Sequence, residues 1–111
     1  MIYIIMPGFN CADVVAAALH SLHTQTFKEW RLVFVNDGST DSTEAVVREI
    51  ADTRTVILSK VNGGVASARN HALTYVKELL QAGDCIAFLD SDDIWAPDKL
   101  YKQLLLSNHS S

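Results

Sequence analysis

Three carboxylates fall within four residues at Asp90-Ser91-Asp92-Asp93. Like charges this close repel, each pair by about 4 kcal/mol at ~4 Å and an effective dielectric near 20, unless something cationic sits among them. The ligand atoms on offer are all oxygens, which suit a hard divalent cation such as Mg2+ or Mn2+. With few protein ligands in reach, such an ion would keep positions open for phosphate oxygens, so a metal and a diphosphate would complete each other's shell. The competing reading is a solvated turn that caps the following helix. D-x-D alone says little; its place directly after a buried apolar strand is what favours the metal.

Three other turns carry unusual residues. Asn36-Asp37-Gly38-Ser39 contains a carboxylate that fits either an Asx-turn before a helix or the recognition of a base N–H or ribose hydroxyl. Asn62-Gly63-Gly64 is either a plain loop or a place where backbone can approach a flat base closely, because no side chain intervenes. Pro7-Gly8-Phe9-Asn10 puts Phe9 on a turn, where an aromatic ring can stack on a base, although a core position is the commoner fate of phenylalanine. Arg69 lies one turn into a long helical stretch. It is either a surface residue or, turned toward the ligand edge, a donor to nucleotide or a counter-charge to the carboxylates. His20, His23, His71 and His109 have no metal-ligand spacing and read as structural or exposed.

The elements that would carry these turns are legible from hydrophobic patterning. Ile2-Tyr3-Ile4-Ile5-Met6, Leu32-Val33-Phe34-Val35, Thr55-Val56-Ile57-Leu58 and Cys85-Ile86-Ala87-Phe88-Leu89 are short apolar runs, too short for helices and typical of strands buried on both faces. Between them lie stripes at helical spacing: Val14, Val15, Ala18, Leu19 and Leu22, with Asn10 as cap and Asp13 in the first turn; Val46, Val47 and Ile50, with Asp41 and Glu44 close to a capping box; and Val65, Ala68, Ala72, Val76 and Leu79, ended by Gly83-Asp84. Pro97 suits the first position of a last helix, with Asp98 behind it and Leu100 and Leu104 inward. Ser107 to Ser111 read as a frayed polar tail. The order β-α-β-α-β-α-β-α predicts a Rossmann-like, mostly parallel sheet with helices on both faces. Ligands of such sheets bind outside the carboxyl ends of the strands, so all four turns should converge on one edge.

Composition limits the function classes. The 111 residues suffice for one domain, and at 49% apolar the chain is globular rather than disordered. Its net charge of −4 provides no global basic field, so nucleic acid is not expected as a partner. Cys11 and Cys85 form no C-x-x-C and read as free, buried thiols of a reducing compartment. No apolar run approaches the ~18 residues that span a bilayer, and no secretory signal is recognisable.

In order and spacing, several segments resemble the large inverting glycosyltransferase family of GT-A fold known as family 2. They are Pro7-Gly8-Phe9-Asn10, Ser21-Leu22-His23-Thr24-Gln25-Thr26-Phe27, Val35 to Thr43, Asn62 to Asn70, Phe88 to Asp93 and Pro97-Asp98-Lys99-Leu100. Each motif is weak alone, whereas the ordered set, from residue 2 to about residue 104, is specific. The resemblance implies the following roles. Asp37 takes the place of the family's uracil-binding aspartate, and Phe9 that of an aromatic beside the base. Pro7, Gly64, Arg69, Asp90 and Ser91 complete the nucleotide-sugar site. Asp90 and Asp92 are the D-x-D pair that holds Mn2+ or Mg2+, and Asp93 is given no definite role on the donor side. The donor implied is a nucleotide-diphosphate sugar, most often a UDP-sugar, and the acceptor a saccharide or glycoconjugate, in polysaccharide synthesis at the cytoplasmic face of a membrane.

Two departures stand out. Asn36 replaces a first aspartate of many members, and the chain stops just after the D-x-D helix. Residues 1–111 are therefore expected to be one partial domain, the donor half of a GT-A fold. The acceptor half and general base would lie beyond, and apolar surface left bare could pair two copies into a homodimer. Other readings fit less well. Aspartate-nucleophile phosphatases carry D-x-D on the first strand, a dehydrogenase would show G-x-G-x-x-G after Met6, and a P-loop would show its lysine motif. A nucleotide-binding domain without catalytic activity stays open as the alternative.

Overall fold

The computed structural model describes residues 1–109, with side chains through Leu105. Four parallel strands alternate with four helices: β1 (Ile2–Gly8), α1 (Val15–His23), β2 (Trp30–Asp37), α2 (Thr43–Ile50), β3 (Thr55–Lys60), α3 (Val65–Lys77), β4 (Cys85–Phe88) and α4 (Lys99–His109). The sheet order is β3-β2-β1-β4, so the chain builds outward from β1 and then returns to its other side. That return makes the β1/β4 border the point where the strand order reverses, which is where open α/β sheets bind ligands.

Strand residues alternate between two cores. Ile2, Ile4 and Met6 of β1 and Trp30, Leu32 and Phe34 of β2 pack with Val15, Ala18, Leu19 and Leu22 of α1, Val47 of α2 and Leu100 of α4. Ile5, Val33 and Val35 turn the other way, onto Ala68, Ala72 and Val76 of α3. The small residues of α3 let that helix lie close over β1 and β2. Both faces are thus buried, which is why the strands read as continuous apolar runs. Gly8 pairs with Asn36, Asp37 with Lys60 and Ile5 with Phe88, so the four strand ends share one edge.

Several local expectations are corrected. Asn10 does not cap α1, which starts at Val15 with no side-chain cap. It adopts φ +48° and accepts the Thr40 N–H at 2.8 Å, tying the turn after β1 to the turn after β2. Glu44 does not close a capping box; its carboxylate bonds Ser59, Asn36 and Arg48, while Asp41 accepts the Thr43 N–H at 2.9 Å. β3 runs two residues further than the apolar pattern indicates. Leu89 lies just past β4, although its N–H still reaches the Ile5 carbonyl at 3.0 Å. Val65 and Leu79, the ends of the α3 stripe, are exposed: Val65 lines the open cleft and Leu79 lies past the end of α3. Pro97 stands outside α4, whose opening bond runs from Lys102 N–H to the Asp98 carbonyl. Leu104 is half-buried. Ser107 to His109 are helical in backbone rather than frayed, and Ser110 and Ser111 lie outside the described residues, as does the His109 side chain. Cys11 is buried as expected and Cys85 only half so.

Gly38 has φ +73°, and a Cβ there would stand 2.7 Å from the Asn62 amide nitrogen. Gly38→Ala combines backbone strain with a backbone clash, and should lower unfolding stability by about 2 kcal/mol. Urea denaturation checks this, and an unchanged midpoint would contradict it.

Candidate functional site

The four turns do converge. An open cleft of about 490 Å³ at the carboxyl edge is lined by Pro7, Phe9, Asp37, Arg69, Ser91 and the acidic turn, with Cys11, Val14 and Val65 between them. Its size is that of ordinary small-molecule sites. Of the residues singled out in the sequence, Pro7, Phe9, Asp37, Arg69, Asp90, Ser91 and Asp92 line it. Gly64 does not, and its contribution is an N–H to Asp37 at 2.9 Å.

Asp37 is 3% exposed at the end of β2. Its oxygens accept hydrogen bonds from Lys60 Nζ at 3.0 Å and from the Gly63 and Gly64 amides at 3.0 and 2.9 Å. Burial pushes this carboxyl up, but the Lys60 ammonium and the two glycine amides outweigh it and hold it below the usual carboxylate range. Its side chain therefore shapes the 60–64 turn. Gly64, at φ +94°, takes a conformation that a side chain would resist and turns its amide onto Asp37. Lys60 was missed in the sequence. The available signal was a lone cation at the end of an apolar strand beside the glycine turn.

The opposite wall is acidic. Carboxylate oxygens of Asp90, Asp92 and Asp93 can lie within 4.8 Å of one another, and all three residues are exposed. Exposure reduces their mutual repulsion from about 4 kcal/mol per pair toward the roughly 1 kcal/mol of bulk water. The turn is thus tolerable without an ion and still attractive to one. Arg69 bridges the walls: its guanidinium donates to Asp90 at 3.2 Å and lies 5.3 Å from the Phe88 ring centroid, while its Nε has no partner. The donor set is entirely oxygen and faces solvent, which fits a hard divalent cation that keeps open positions.

His20, His23 and His71 do not line this cleft. His20 and His71 are exposed, and His23 stacks on Trp30 with centroids 6.0 Å apart.

The sequence profile described as "Glycosyl transferase family 2" matches residues 3–109. The chain belongs to this family. It is 40% identical to the UDP-Glc:alpha-D-GlcNAc-diphosphoundecaprenol beta-1,3-glucosyltransferase WfgD of Escherichia coli, over all of this chain and 43% of WfgD. The chain therefore spans less than half the length of that family 2 relative. Among solved structures, S. aureus TarS 1-349 in complex with UDP-GlcNAc is similar at a TM-score of 0.83 and 26% identity, covering 97% of this chain and 31% of TarS. The mannosyltransferase PcManGT of Pyrobaculum calidifontis, in complex with GDP-Man and Mn2+, has a TM-score of 0.77 and 26% identity, over 89% of this chain and 30% of its own. The fold is the α/β, Rossmann-like arrangement of these GT-A neighbours.

Proposed function

We propose that this chain supplies the donor side of a glycosyl transfer, binding a UDP-sugar together with Mn2+ or Mg2+. The observation that carries the reading is that Phe9, Asp37, Arg69, Asp90 and Asp92 line one and the same cleft, with Arg69 bonded to Asp90. The UDP-sugars of WfgD and TarS support the uracil base, and the Mn2+ of PcManGT supports the metal.

In this reading Asp90 and Asp92 hold the cation, which would offset the charge of the leaving diphosphate as the sugar–oxygen bond breaks. Arg69 keeps Asp90 oriented and offers its remaining N–H groups to ribose or phosphate. Ser91 and Pro7 line the nucleotide, and Gly64 presents the turn that borders the base, held by Asp37. The three carboxylates are committed to the donor, so none is assigned as general base. The acceptor proposed is a saccharide or glycoconjugate; the lipid-linked acceptor of WfgD supports work at the inner face of a membrane. No helix among the described residues is long and apolar enough to cross one.

Calorimetry of UDP with Mn2+ and with EDTA tests the site. Metal-dependent binding is expected, and absence of UDP affinity in a folded sample removes the proposal. Donor hydrolysis measured on the same sample should be negligible. Phe9 has a side chain half in solvent, so Phe9→Ala should leave the thermal midpoint in place. It should weaken UDP binding about tenfold, the low end of the ~1–3 kcal/mol that stacking on a base contributes. Unaltered affinity would remove Phe9 from the base site.

A further inference from the structure

We propose that Gln25 is a positioning residue for the acidic turn, acting from outside the cleft; this rests on the metal-binding reading above. Gln25 follows α1 and is fully buried. Burying a primary amide is costly unless each polar atom finds a partner, and a methionine would fill the same space without that cost. The Gln25 amide is satisfied largely by backbone far along the chain. Nε2 donates to the Ala96 carbonyl at 2.7 Å, and to Ser21 at 3.1 Å within its own neighbourhood. Oε1 accepts the Leu100 N–H at 3.0 Å. The next residue adds a third tie, Thr26 N–H to the Pro97 carbonyl at 2.8 Å. Two adjacent residues thus fasten the segment from Ala96 to Leu100, and Leu100 itself is buried in the core.

This matters because of what lies between the anchors. Upstream, Leu89 is buried and its N–H is held by the Ile5 carbonyl at 3.0 Å. Downstream come Ala96, Pro97 and Leu100. Trp95 also packs against the core, so the stretch from Asp90 to Ile94 spans the gap, tied to α3 by the Arg69–Asp90 bond at 3.2 Å and closed by an internal backbone bond from Asp93 N–H to the Asp90 carbonyl at 3.0 Å. Five residues can extend to roughly 17 Å, so a loosened downstream end would let Asp92 and Asp93 shift by an ångström or more. A hard divalent ion tolerates only a few tenths of an ångström about metal–oxygen distances near ~2.0–2.2 Å. Like-charge repulsion would also spread an unfastened turn. Gln25 holds closed what the three acids would open.

The test uses this chain with Gln25→Met, which removes every bond of the amide at similar volume, and Gln25→Asn, which keeps an amide too short to reach Ala96 and Leu100. UDP affinity is measured by calorimetry with Mn2+ and with EDTA, and amide exchange at Asp93 and Leu100 by NMR. Manganese-dependent affinity should fall about tenfold or more, the range found when groups that orient metal ligands are removed. Affinity in EDTA should stay within about twofold, and both amides should exchange faster. Equal losses with and without metal would overturn the proposal by making Gln25 a general stabiliser, as would unchanged manganese-dependent affinity or failure of both variants to fold. If the parent chain itself shows no metal-dependent affinity, the donor-site reading fails separately. Exchange at Asp93 then decides whether Gln25 fixes the turn, and unchanged protection there overturns it.

Discussion

Asp92→Ala will reduce manganese-dependent UDP affinity about a hundredfold, a loss of roughly 2.7 kcal/mol, and leave the fold intact. The size follows from where the residue sits. Asp92 is exposed at the rim of the cleft, makes no ion pair among the described residues, and lies within 4.8 Å of the Asp90 and Asp93 oxygens. Its removal takes away one charged ligand and one source of repulsion. Stability should therefore hold or rise slightly, while a divalent ion loses a first-rank donor. Asp90→Ala should cost similar affinity by a mixed route, since it also frees Arg69 from its 3.2 Å bond. A double titration, UDP at several Mn2+ concentrations, separates the two. In Asp92→Ala the metal dependence itself should collapse toward the EDTA value. Metal-independent binding that survives Asp92→Ala at full strength would show that the acidic turn is only a solvated helix entry.

Asp37→Ala should be the most destabilising change at the site, by about 3 kcal/mol, because it leaves the partly buried Lys60 ammonium and two turn amides without their shared acceptor. For a chain of this size that lowers the thermal midpoint by roughly 13 °C. The effect has a pH signature. The folded-state carboxyl lies below its ordinary value of 3.8. The stability it contributes is therefore complete above that value and is lost as pH falls through the depressed one. Asp41, Glu44 and Asp52 are also held below their ordinary values, so the parent should lose stability steeply in acid. The difference between parent and Asp37→Ala isolates one group. That gap should be constant above about pH 5 and narrow as pH falls below 3.8. A gap that stays constant down to pH 2 would show that Asp37 is not the acceptor described. UDP affinity should fall with the turn, since the Gly63–Gly64 backbone loses its anchor.

The family's order of motifs was enough to place the cleft. Asp37, Arg69 and the D-x-D pair were found on it because parallel strand ends must share an edge once the strands are recognised. Local chemistry was less legible. Asn10 has the residue type of a helix cap, and it serves the neighbouring turn because the stretch after β1 is pulled toward Thr40 and Ser39. Glu44 has the spacing of a capping box, and it bonds Ser59 instead because β3 brings that hydroxyl within 3.0 Å. In both cases a partner distant in sequence outcompeted the local one.

Hydrophobic period and turn chemistry by themselves determined the alternation of strands and helices, the shared edge and the acidic turn. These depend on neighbours within a few residues and on a period that only one kind of element satisfies. Only the tertiary structure decided that Lys60 neutralises Asp37, that Arg69 reaches across to Asp90, and that Gln25 grips the backbone 71 and 75 residues away. Charge pairing and buried amide bonding are short-ranged in space and indifferent to sequence separation, so no spacing rule encodes them. They exist only once the sheet has set which ends meet.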